Sequence, residues 1–147
     1  MFFSTLTRYI CRPLFAMLAA LRNTGRHGGL ITLYGIKNCD TVKKARKWLD
    51  VHGVEYRFHD FRADGLERDA VERWLAELGW ENLVNRRSTS WKALDESARE
   101  TMNADSALPA ILAQPTLIKR PLLDTGHERF AGFSAASYQK IFSKHTL

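Results

Sequence analysis

A chain of 147 residues, 45% hydrophobic and 11% aromatic, holds enough apolar side chain for one buried core, which excludes a disordered or low-complexity protein. Two cysteines, Cys11 and Cys39, exclude a disulfide framework and make a reducing cytoplasm the default compartment. The formal net charge of +6 points to nucleic acid only until it is located: residues 1–29 hold four arginines and no acid, and the remaining 18 basic and 16 acidic residues leave +2, so direct nucleic-acid binding is not expected.

The leader, MFFSTLTRYICRPLFAMLAALRNTGRHGG, has an apolar stretch, Leu14–Leu21, too short to span a bilayer. Arg12-Pro13 and Arg22 interrupt a signal-peptide pattern, although the basic and apolar content also suits an amphipathic surface segment. Gly25 to Gly29 is a hinge-like break. Residues 1–29 are therefore expected to lie outside the fold, disordered or the product of a mis-assigned start, with a single domain over 30–147 and no membrane span.

Leu30–Tyr34 is an apolar run that predicts a buried strand. Asp40–His52 predicts a helix, with Val42, Ala45 and Leu49 on one face and Gly53 as its stop. Val54, Tyr56 and Phe58 alternate with polar residues and predict a second strand. After Asp64-Gly65 a second helix carries Leu66, Ala70, Val71, Trp74, Leu75 and Leu78 inward and ends at Gly79. Residues 80–113 predict short helices near Asn82–Asn85, Trp91–Ala98 and Ala107–Ala113, broken by Pro115. Pro121-Leu-Leu and Arg129–Phe133 predict two strands joined through Asp124-Thr-Gly126. Ser134 is the expected N-cap of a last helix that packs Ala135, Tyr138, Ile141 and Phe142. The order βαβα, helical insertion, ββα implies a right-handed parallel crossover followed by an antiparallel hairpin. That is an α/β, thioredoxin-like connectivity, a mixed sheet flanked by helices.

Cys39 falls at the junction of the first strand and first helix. Free backbone N–H groups and the positive end of the helix dipole favour a thiolate there, and the thiolate is the nucleophile. Lys37, Lys43 and Lys44 add positive potential, Thr41 offers a hydroxyl, and Asp40 opposes them. The alternative is a small buried core residue; Asn38 and the polar Asp40-Thr41 favour exposure. The residue three on from Cys39 is Val42, so no Cys-x-x-Cys redox pair exists in this motif, and a catalytic Cys39 needs an external thiol. The histidines share no metal-ligand spacing, so neither a metal nor a bound cofactor is expected.

The segments YGIKNCDTVKKARKWL, YRFHDFRADGL, ELGWENLVNRRSTSWKAL, IKRPLL and GFS, in this order, resemble the arsenate reductase (ArsC)/Spx family and most of all its small YffB branch. The resemblance implies a thioredoxin-like domain with a helical insertion, a nucleophilic Cys39, and thiol reduction linked to glutathione, with glutaredoxin as a further partner. It implies that Pro121 is a cis-proline facing the cysteine, and that Arg120 and Arg87 bind anions, with Arg86 as rival to Arg87. Lys43 is a weaker candidate, since Lys43 to Lys47 also reads as a solvated helix face. Arg120 as a surface ion pair and Arg86-Arg87 as a solvated loop are the corresponding alternatives. The third arginine of true arsenate reductases falls near Gly132, with Arg129 three residues earlier, which argues against arsenate as substrate. The second functional reading is an Spx-like regulator that binds RNA polymerase; the absent Cys-x-x-Cys argues against it.

Overall fold

The first strand forms as β1, Thr32–Gly35, in the computed structural model, which describes residues 30–144. The expectations for residues 1–29, Cys11 included, lie outside the described residues. From β1 the chain enters α1 (Asp40–Val51), whose buried residues are the expected Val42, Ala45 and Leu49. β2 (Arg57–Asp60) begins later than the apolar alternation from Val54 suggests. The reason is local: Gly53 and Val54 donate their N–H groups back to Asp50 and Leu49, so these residues close the helix before any strand can start. α2 (Arg68–Leu78) buries Val71 and Trp74 and stops at Gly79, with φ +76.

The insertion is more finely divided than its periodicity indicates. It comprises α3 (Trp80–Leu83), α4 (Thr89–Lys92), α5 (Glu96–Glu100), α6 (Ala104–Ala113) and a 3-10 turn at Pro115–Leu117. Ser88 starts α4 by accepting the Trp91 N–H at 3.1 Å. Asn103 and Ser106 form a reciprocal capping box that moves the start of α6 three residues ahead of the expected Ala107. β3 (Leu122–Asp124), β4 (Arg129–Ala131) and α7 (Ala135–Lys144) complete the chain. Ser134 caps α7 by accepting the Ser137 N–H at 3.0 Å. Ala135 is exposed, contrary to its expected inward face, because α7 buries Tyr138 and Ile141 at three-residue spacing and leaves its first turn in solvent.

The four strands form one mixed sheet in the order β2-β1-β3-β4, with β1 and β2 parallel and the other pairs antiparallel. Period-two alternation splits the core between its faces. Leu33 and Leu123 are paired across strands and meet Ala45, Leu49, Tyr138 and Ile141 under α1 and α7. On the other face Leu122 meets Val71, Trp74, Ala107 and Ile111 under α2 and α6. Each fully buried leucine contributes roughly 1.5–3 kcal/mol, so both faces anchor the strand ends that carry the site.

Candidate thiol site

Tyr34 pairs with Leu122, so Gly35 at the exit of β1 lies beside Pro121 at the entry of β3. Gly35 is constrained by packing: a Cβ there would come within 2.7 Å of Val42 Cγ2, so β1 and α1 approach through its missing side chain. Four residues on, Cys39 is the N-cap of α1 in an extended conformation, φ −121 and ψ 122, and its carbonyl accepts the Lys43 N–H at 2.9 Å. The thiol is free and half-buried, packed against the core cluster that contains Ile36, Phe61 and Trp74. Asn38 is exposed, Thr41 half-buried, and the Lys43 side chain exposed one turn into the helix.

The loop between β1 and Cys39 is held from beneath by Asp60, which the sequence reading missed. Buried at the end of β2, Asp60 accepts the Lys37 N–H at 3.2 Å and the Arg62 N–H at 2.8 Å. Burial pushes its carboxyl up, but the N–H groups of Arg62, Lys37 and Ala63 and the Lys37 charge outweigh this and hold it below the usual carboxylate value. The available signal was the Asp60-x-x-x-Asp64 spacing, in which Asp64 accepts the Asp60 N–H at 2.9 Å and makes a tight turn after the strand.

The Arg120-Pro121 peptide bond is cis, and Pro121 is buried. Arg120 is half-buried, its Nε out of solvent and without a hydrogen-bond partner among the described residues. Arg86 and Arg87 are separated by their surroundings. Arg86 lies over the Trp80 ring, 4.8 Å from its centroid, whereas Arg87 is exposed and held by its backbone N–H on Asn85 Oδ1 at 3.0 Å. The insertion also reaches the cis-proline approach: Asn85 N–H bonds to Leu117 O at 2.8 Å, Lys119 N–H to Leu83 O at 2.7 Å, and Val84 bridges to Ile118. Cys39, Pro121 and Arg120 thus share one end of the sheet, and the Arg87 loop is bonded to the segment that delivers Arg120.

Arg129 is occupied elsewhere. It pairs with Glu77 at 2.9 Å and Asp124 at 3.2 Å; burial lowers its pKa, but these carboxylates outweigh burial and raise it. Gly132 has φ +91, a conformation unfavourable for an arginine at that position. His52 stacks on Trp48, and His59 Nε2 contacts Gly65 O at 2.8 Å. Among the described residues no group of three or more His, Cys, Asp or Glu is placed to hold a metal, and no helix is long and apolar enough to cross a membrane.

The ArsC family model matches residues 34–141. A solved structure of a YffB protein is 45% identical and superposes with a TM-score of 0.72 over 75% of this chain and 96% of its own. An arsenate reductase (ArsC) related protein from Brucella melitensis is 43% identical, with a TM-score of 0.66 over 80% of this chain and 98% of its own. The global transcriptional regulator Spx of Streptococcus pyogenes is 27% identical over 117 residues, 78% of this chain and 87% of the regulator. The thioredoxin-like architecture, the cysteine at the strand–helix junction and the matched span agree: the chain belongs to the ArsC family.

Proposed function

We propose that the protein is a cytoplasmic, glutathione-dependent thiol reductase with Cys39 as its single nucleophile. The observation that carries this reading is the half-buried free thiol at the N-cap of α1, at the same sheet end as Arg120, whose Nε has no hydrogen-bond partner among the described residues. The Cys39 thiolate attacks the glutathione sulfur of a mixed disulfide. That S–S bond breaks, the substrate leaves as a thiolate that takes a proton, and glutathione stays bonded to Cys39. A second glutathione, as thiolate, attacks this bond at the glutathione sulfur, releasing oxidised glutathione and restoring the Cys39 thiolate; the incoming glutathione thiol is the reductant, and the other half of the oxidised glutathione is the one the substrate carried. Arg120 and Arg87 would hold glutathione carboxylates in bidentate hydrogen bonds, and Lys43 adds positive potential beside the sulfur. Asn38, Thr41 and Pro121 shape the cysteine loop and its facing wall.

The similarity to Spx supports a second reading, a regulator that binds RNA polymerase without turnover. A glutathione-coupled reductase assay on wild type and Cys39→Ser, beside a pull-down with the RNA polymerase alpha subunit, separates the two. Turnover lost in Cys39→Ser supports the reductase. Polymerase capture without turnover overturns it.

A further inference from the structure

The outer edge of β4 carries a groove that the thiol site does not use. Gly132 N–H bonds to Pro121 O at 2.8 Å and Thr125 N–H to Glu128 O at 3.0 Å, which fixes the pairs that exchange hydrogen bonds in the β3–β4 ladder. By that alternation Phe130 bonds inward to Leu123, while Arg129 and Ala131 turn their N–H and C=O groups outward. Glu77 Oε1 accepts the Arg129 N–H at 2.8 Å. No partner among the described residues takes the outward groups of Ala131.

Ala131 is half-buried and lines a cavity of about 480 Å³ between the end of α2 and the start of α7. Leu78, Phe133 and Ile141 supply apolar wall, and Lys119 supplies a cation. A Cβ on Gly132 would meet Lys119 Cε at 3.2 Å, so the lysine stem lies along the bare backbone of Gly132. Lys119 has no carboxylate partner among the described residues, whereas Arg129 at the other end of β4 is already neutralised.

We propose that this groove binds an extended peptide segment as a fifth strand, with the Ala131 N–H and C=O bonded to the peptide backbone, apolar side chains on its two faces against Leu78 and Ile141 respectively, and a carboxylate at Lys119. An edge strand with unpaired backbone groups is a template for another strand unless it is blocked, and Glu77 blocks only the Arg129 end. The volume is in the range of small-ligand sites. The inference is independent of the Cys39 chemistry.

The test is a titration of the full-length, nitrogen-15-labelled protein with a blocked hexapeptide of alternating valine and threonine ending in aspartate. The Ala131 amide should shift and become protected from hydrogen exchange. Ala131→Pro removes only an outward donor, a substitution edge strands accept, and should weaken binding about tenfold or more. Lys119→Glu should weaken it several-fold, and exchanging the peptide aspartate for asparagine should add no further loss in that variant. Cys39→Ser should bind as wild type. If Ala131→Pro does not fold, the peptide N-methylated opposite Ala131 makes the same deletion and should fail to bind. An unmoved Ala131 amide at millimolar peptide, or full binding by Ala131→Pro or the methylated peptide, overturns the proposal. So does a dimer whose Ala131 amide is already protected without peptide, since a second copy would then fill the groove.

Discussion

Asp60 and Lys37 are joined by a hydrogen bond from the Lys37 N–H to Asp60 Oδ2 at 3.2 Å, which ties the end of β2 to the loop that delivers Cys39. The acceptor is a carboxylate held below its ordinary value of 3.8. It therefore stabilises the folded chain fully above that value, and the contribution is lost as pH falls through the lower, folded value. Thermal melts of wild type from pH 6 down to pH 3 should show falling stability. Asp60→Asn should be less stable at pH 6 and show a shallower fall. Parallel wild-type and variant curves would remove Asp60 from this role.

Cys39→Ser should abolish mixed-disulfide formation with glutathione and leave the fold intact. Iodoacetamide should modify native wild-type protein at Cys39, located by peptide mass mapping so that Cys11 is scored separately. Reaction at Cys39 only after denaturation would mean a closed core thiol and would overturn the reductase reading.

Arg120→Ala should weaken glutathione use by roughly 1.5–3 kcal/mol, the range for hydrogen bonds to charged groups. Its effect on melting temperature should be small, since the Nε has no partner among the described residues to lose. An unfolded variant with normal activity per folded molecule would make Arg120 structural.

The neighbouring arginines should separate. Arg86→Ala removes a guanidinium from the Trp80 face and should cost about 0.5–1 kcal/mol of stability with turnover retained. Arg87→Ala should raise KM for glutathione and leave the melt in place. Steady-state kinetics beside calorimetry on both variants checks the division.

Gly35→Ala should destabilise by about 1–3 kcal/mol, because its methyl would overlap Val42 inside a packed core. Adding Val42→Ala should restore part of that loss, measured as a double-mutant cycle in urea. Independent, additive effects would place the clash elsewhere.

Much of this architecture is legible in the sequence because its signals are local. Val42, Ala45 and Leu49 give the inner face of α1 by spacing alone, and the strand–helix–strand order gives the parallel pair. β2 was displaced because Val54 has two uses, an apolar strand-like side chain and an N–H that closes the preceding helix on Leu49. Within the candidate site, the position of Cys39 before a helix is legible locally, whereas Arg120 and Arg87 enter through the resemblance to the family and not through spacing. The Asp60-x-x-x-Asp64 spacing marks only a turn; the acceptor function of Asp60 toward Lys37 depends on the parallel register that lays it beside Gly35, a contact between residues far apart in the chain. The same limit separates Arg86 from Arg87, identical neighbours until Trp80 takes one of them.

The Val84–Ile118 bridge, flanked by the Asn85–Leu117 and Lys119–Leu83 bonds, joins the arginine loop to the run into the cis-proline along three consecutive residues. On the proposed reading, an anion shared by Arg87 and Arg120 is gripped from two segments that these bonds hold together. On the same reading, an acceptor of another size is accommodated by shifting both segments together rather than one cation alone.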